Sequence, residues 1–167
     1  FFWDEEKGAY IDSFTSGKRN VTRHANIFAI LFDIADKQKQ EKILTNVLEN
    51  DEIPAITTPY FNFFELDVLC QMGKLTEVLD KIRSYWGGML DLGAVTFWEE
   101  YDPSVPKEEQ YDMYGDHFGK SLCHAWAASP IYFLAKYFAG LDLVNKDGVT
   151  YVLKPQLSLI HISEPTR

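Results

Sequence analysis

Phe97-Trp98-Glu99-Glu100-Tyr101-Asp102, with Asp91 upstream, sets carboxylates directly beside aromatic rings. Those residue types suit carbohydrate chemistry, because a ring face packs on the apolar face of a sugar while a carboxylate moves protons. The plainer assignment from composition is a solvated acidic loop with Trp98 and Phe97 in the core. Cys123-His124-Ala125-Trp126 is a second constellation. One Cys and one His are too few ligands for zinc, so no metal is expected, and a buried, hydrogen-bonded His is the simpler role. Thr22-Arg23-His24-Ala25-Asn26 is the third, at the head of a predicted helix, where His24 is either a first-turn polar residue or a binding residue. Asn20-Val21-Thr22 matches the glycosylation acceptor pattern, a triplet frequent by chance.

Other reaction classes lack their residues. There is no Gly-x-Ser-x-Gly elbow and no Gly-rich loop carrying Lys-Ser or Lys-Thr after a strand. Cys123 beside His124 in sequence is weak support for a thiol protease, because catalytic partners meet in space rather than along the chain. The 167 residues carry 25 acidic and 16 basic side chains, a formal charge of −9. That balance gives no footprint for nucleic acid or an anionic membrane surface. Apolar residues make up 46%, a globular content, and no apolar run approaches the ~20 residues of a membrane span. Two cysteines, Cys70 and Cys123, cannot build a disulfide framework.

The elements that must position these residues read as helices. Residues 19–35 place Val21, Ala25, Phe28, Ala29, Leu31 and Phe32 at mostly three- and four-residue spacing. Residues 38–49 continue with Ile43, Leu44, Val47 and Leu48. Thr57 or Thr58 can cap a helix with Pro59 in its first turn, running to a stop at Gly73. Lys74 to Trp86 reads as another, closed by Gly87-Gly88, and 120–139 as the last, kinked or split by Pro130. Short connections predict antiparallel neighbours. Gly8 after Phe1-Phe2-Trp3 reads as the end of a preceding helix, and 148–154 alternates like a strand. The long stretch from Gly87 to Gly119 is predicted to be a functional loop.

An ordered series then narrows the field: Thr58-Pro59-Tyr60, Tyr85-Trp86-Gly87-Gly88-Met89-Leu90, Gly93-Ala94-Val95-Thr96-Phe97-Trp98-Glu99 and Ser121-Leu122-Cys123-His124-Ala125-Trp126-Ala127-Ala128-Ser129-Pro130. Over roughly residues 1–154 the chain resembles the C-terminal half of the catalytic domain of bacterial α-L-rhamnosidases, six-hairpin glycoside hydrolases. The resemblance implies an all-α fold, a partial (α/α) six-hairpin barrel with a short β start near its C-terminus. About twelve helices of ~12 residues with ~5-residue links need about 200 residues, so this chain would supply about half a barrel. The implied division is 1–144 for the barrel half, 145–156 for the start of a β-sandwich and 157–167 for a non-native tail. Leu157–Arg167 resembles a translated sequencing-library adaptor, which sets His161 aside.

The implied reaction is inverting hydrolysis of a terminal α-linked deoxysugar or related residue by two carboxyl groups, without a cofactor. The resemblance places the base at Glu99, a sugar contact at His124, and pocket-lining rings at Trp98, Trp86 and Tyr60, with His24 and Asn26 as further lining residues. The general acid falls upstream of Phe1 in such enzymes, so the chain alone is expected to be inactive. Glu100-Tyr101 stand where the family usually has Arg-Trp, which leaves the sugar open. The implied partner is a carbohydrate and the implied placement periplasmic or secreted. A carbohydrate-binding domain without catalysis and a helical interaction scaffold are the alternatives. The scaffold predicts Trp98 and His124 buried with no cleft between them.

Overall fold

The computed structural model describes residues 1–144 and 150–155. The expectation for 157–167 lies outside them. The chain is mostly helical and carries two small antiparallel sheets. Contacts divide it into two compact units, Phe1–Val68 and Leu69–Arg167.

The first unit opens on a hairpin, β1 (Trp3–Asp4) paired with β2 (Ala9–Tyr10). Gly8 is therefore a hairpin turn residue and not a helix stop. Both structures need a positive φ, here +58°, which is why the glycine alone misleads. Asp4 fixes the turn by accepting the amides of Glu6 and Lys7 and the Nε–H of Arg19. The Arg19 hydrogen bond, aided by those amides, holds the Asp4 carboxyl below its usual range.

Helix α1 spans Arg23–Leu31, shorter than the 19–35 expected. Its buried face is Arg23, Asn26, Ile27, Ala29 and Ile30, whereas Phe32, expected inside, is 70% exposed. The face turned because Asn26 bonds inward. Its Oδ1 accepts the Tyr10 amide at 2.8 Å, and its Nδ2 donates to the carbonyls of Tyr10 and Thr22. Helix α2 (Lys37–Ile43) starts on Asp36, whose side chain accepts the Lys39 amide, and widens into a π-type turn over Leu44–Leu48. Ile43, Leu44, Val47 and Leu48 are buried as their spacing predicts. Arg23 reaches from α1 to Glu65 on α3 (Pro59–Gln71) at 3.0 Å and also donates to the Leu48 carbonyl.

Helix α3 starts after Thr58 with Pro59 as its first residue, and Gly73 (φ +75°) ends it. The amides of Gly73 and Lys74 close back on the carbonyls of Cys70 and Leu69, the left-handed glycine stop that the sequence signals.

In the second unit, α4 (Leu75–Lys81) passes through a π-type turn over Ile82–Trp86 straight into α5 (Gly87–Asp91). The Gly87-Gly88 pair does not end the helix. Gly93, at φ +90°, follows its end instead. Gly88 gives room to a neighbour, since a Cβ there would collide with the Tyr101 ring. Gly87 faces open space. Gly87→Ala should therefore stabilise by ~0.5–1 kcal/mol through helix propensity. Gly88→Ala should destabilise, by ~1–3 kcal/mol if the ring is displaced. Urea denaturation of both variants checks the opposite signs.

The expected helix over 120–139 begins only at Ser129. Helix α6 (Ser129–Phe133) carries Pro130 in its first turn, where a missing N–H costs nothing, and widens into Leu134–Phe138. Pro130 starts this helix rather than kinking a longer one. Strands β3 (Leu141–Leu143) and β4 (Tyr151–Leu153) pair antiparallel, with Asp142 opposite Val152. No helix among the described residues is long and apolar enough to cross a membrane.

Candidate functional site

Residues 120–124 form no helix, and their hydrogen bonds run to other segments of the chain. The Glu99 amide donates to the Ser121 carbonyl at 2.9 Å, and the His124 amide to the Phe97 carbonyl at 2.8 Å. The Thr96 hydroxyl bonds the Leu122 carbonyl. Segments 96–99 and 121–124 thus run antiparallel, and His124 enters the site from an extended backbone (φ −122°, ψ 108°) rather than from the helix the sequence suggested.

Extended backbone sends successive side chains to opposite faces. Trp98 accordingly turns inward, 3% exposed and packed against Tyr111 at 5.6 Å, while Phe97 is exposed on the other face and the Glu99 side chain is only 13% exposed. Glu99 Oε1 accepts the Tyr114 hydroxyl at 2.9 Å, and Oε2 accepts the Ser121 amide at 3.1 Å. His124 Nδ1 lies 3.8 Å from Oε2, an ion-pair separation too long for a hydrogen bond. That nitrogen is buried and has no hydrogen-bond partner among the described residues.

Burial raises the pKa of Glu99, but the Ser121 amide, the Tyr114 hydroxyl and the charges of His124 and Lys120 outweigh it. The carboxyl is held below its usual range. Glu99 is therefore an oriented carboxylate at neutral pH, able to accept a proton. Glu100 has different company. It faces Lys120 Nζ at 3.8 Å, and the Lys120 side chain is buried. Burial lowers the Lys120 pKa, although Glu100, Asp102, Asp112 and Glu99 pull upward. Adjacent in sequence, the two glutamates serve different neighbours.

Of the residues singled out in the sequence, the second unit brings Glu99 and His124 together. Trp98 and Trp86 lie in its interior. The Trp86 indole N–H donates to the Ala127 carbonyl at 2.8 Å, and Tyr85 meets Tyr101 edge-on, so α4 and its π-type turn hold the loop in place. Both rings are nearly enclosed, Trp86 6% and Trp98 3% exposed. Trp126 by contrast is 51% exposed and lies against His124 at 4.1 Å between ring centroids. Tyr60, His24 and Asn26 belong to the first unit. Tyr60 is partly exposed, and exposed His24 meets Phe61 at 4.4 Å. Asn26 is fully buried with its amide committed to Tyr10 and Thr22.

Tyr114, Lys120 and Ser121 were not found from the sequence. The local signal is Tyr114-Gly115 between Met113 and Asp116, a two-residue turn. What joins Tyr114 to Glu99 is a contact across 15 positions.

A search of solved structures finds a rhamnosidase from Klebsiella oxytoca with rhamnose bound, 33% identical to this chain with a TM-score of 0.71. The match covers 81% of this chain and 25% of that one, so this chain spans about a quarter of the neighbour's length. No family model and no curated protein matches. The fold of this chain is rhamnosidase-like.

Proposed function

We propose that this chain carries the catalytic base of an inverting glycoside hydrolase that acts on terminal α-L-rhamnosides or related deoxysugar glycosides. The observation that supports this most is the Glu99 carboxylate, ionised, tethered through both oxygens and set beside His124, in a chain with a rhamnosidase-like fold. In this reading Glu99 takes a proton from water as the water attacks the anomeric carbon from the face opposite the leaving group. A general acid outside these residues protonates the departing oxygen. The helices then belong to part of an (α/α) six-hairpin barrel.

The site uses residues of the second unit. His124, whose side chain is partly exposed, bonds a sugar hydroxyl through the part of its ring that faces away from Glu99. The exposed Trp126 face packs on the apolar side of the ring, the task first assigned to Trp98 and Trp86. The assay is hydrolysis of an aryl α-L-rhamnoside by the full-length parent enzyme, with the corresponding α-L-fucoside and α-D-glucoside as controls. Turnover of the rhamnoside in preference to both is the expected result. Tight rhamnose binding with no turnover of any substrate would favour the carbohydrate-binding alternative.

A further inference from the structure

Both tethers of Glu99 come from one excursion of the chain, residues 111–121. Its base is closed by the Lys120 amide on the Tyr111 carbonyl at 3.1 Å, and Ser121, next in line, bonds Oε2. Its tip is a tight turn in which Met113 and Asp116 exchange both backbone hydrogen bonds at 3.0 Å. The two residues between them, Tyr114 and Gly115, have φ of +55° and +86°, as a two-residue hairpin turn requires. Gly115 adopts this readily, but a tyrosine rarely does. Across the turn His117 Nδ1 meets Asp112 Oδ1 at 2.6 Å, and Gly119 lets the chain return against the Met113 carbonyl, where a Cβ would collide.

The Tyr114 side chain is mostly exposed, so burial does not explain a tyrosine in this conformation. What the conformation achieves is delivery of the hydroxyl to Glu99 Oε1 at 2.9 Å. We propose that Tyr114 is a positioning residue for Glu99: hairpin 111–121 grips the carboxylate between the Tyr114 hydroxyl and the Ser121 amide and fixes its direction. This rests on the reading of Glu99 as the base. A general base works only when its lone pair is aligned with the proton it takes, and a carboxylate held through one oxygen alone can rotate. The remaining groups that face Glu99 are His124 and Lys120, and Glu100 acts on Tyr114 in turn.

Two variants separate the hydroxyl from the backbone. Tyr114→Phe removes the hydroxyl and keeps the positive φ, whereas Tyr114→Gly removes the side chain and accommodates the φ. The Glu99 carboxyl in the 167-residue chain is titrated by carbon-detected NMR. Both variants should move its titration upward in pH by similar amounts, because each removes the same donor to the ionised form. In the parent enzyme each should lower kcat by about 3- to 10-fold, the weight of one hydrogen bond, with KM little changed. The acid limb of kcat/KM should move upward with the titration.

A Glu99 titration unmoved in both variants would overturn the proposal. So would unchanged kcat in both variants when Glu99→Gln itself is inactive. A full-rate Glu99→Gln enzyme would overturn the base assignment instead, while a shifted titration would still support the Tyr114–Glu99 coupling.

Discussion

Glu99→Gln should lower kcat for α-L-rhamnoside hydrolysis by the parent enzyme by ~100- to 10,000-fold, about 3–5.5 kcal/mol of barrier, with KM nearly unchanged. The amide keeps the shape of the carboxylate and can still accept the Tyr114 hydroxyl or the Ser121 amide, so the sugar site should persist. What it cannot do is take a proton from water. Glu100→Gln is the control. Glu100 faces the buried Lys120 ammonium, so its loss should appear as lower stability with kcat within a few-fold of the parent. Stopped or continuous assay of both variants at saturating substrate decides between them. The pH dependence has a fixed sign. The carboxyl of Glu99 is held below its ordinary value of 4.5. Its contribution to stability is therefore complete above that value and is lost as pH falls through the lower, folded one. Activity should fall over that same acid range, since the protonated acid cannot serve as base.

The second large effect is on folding. Glu65→Ala should destabilise the chain by ~3–5 kcal/mol, because it leaves the Arg23 guanidinium charged and buried. Both side chains are almost wholly enclosed, with Nη1 and Oε1 3.0 Å apart. Arg23 would keep its hydrogen bond to the Leu48 carbonyl but lose its charge partner. The double variant Arg23→Met/Glu65→Leu should recover much of the loss, since a buried ion pair contributes little beyond a packed apolar replacement. Urea unfolding of the single and double variants measures this. A single variant within ~1 kcal/mol of the parent would show that the pair is not held as the structure places it.

Local chemistry made parts of this fold legible and non-local contacts hid the rest. Thr58-Pro59 and Gly73 bracket α3 because a helix start and stop are decided within a few residues. Gly8 carried the same left-handed signal, yet only the pairing of Trp3 with Tyr10 tells a hairpin from a helix end. Gly87-Gly88 misled for the opposite reason. The helix passes through them with Gly87 in ordinary helical backbone (φ −61°, ψ −40°), and Gly88 serves instead to leave space for Tyr101. The sequence suggested a helix over 120–139, but the His124 amide bonds the Phe97 carbonyl and the Ser121 amide bonds the Glu99 side chain, each more than twenty positions away.

The site shows the same division. Glu99 stood out because it follows Trp98 in a recognisable series, and His124 because of its own. The buried roles of Trp86 and Trp98 follow from helix continuation and strand-like alternation, which the residue types do not disclose. Asn26 was expected to line the pocket only through the family resemblance. Its partner, the backbone of Tyr10, is 16 positions away.

The most direct test of the central claim, that Glu99 is the base of an inverting hydrolysis, is the configuration of the first sugar released. The parent enzyme is mixed with an aryl α-L-rhamnoside and the anomeric protons are followed by NMR before mutarotation equilibrates them. A base that activates water on the face opposite the leaving group predicts β-L-rhamnose as the first product, with the α anomer growing in later. Initial release of α-L-rhamnose would mean retention through a covalent intermediate, and would contradict the role assigned to Glu99.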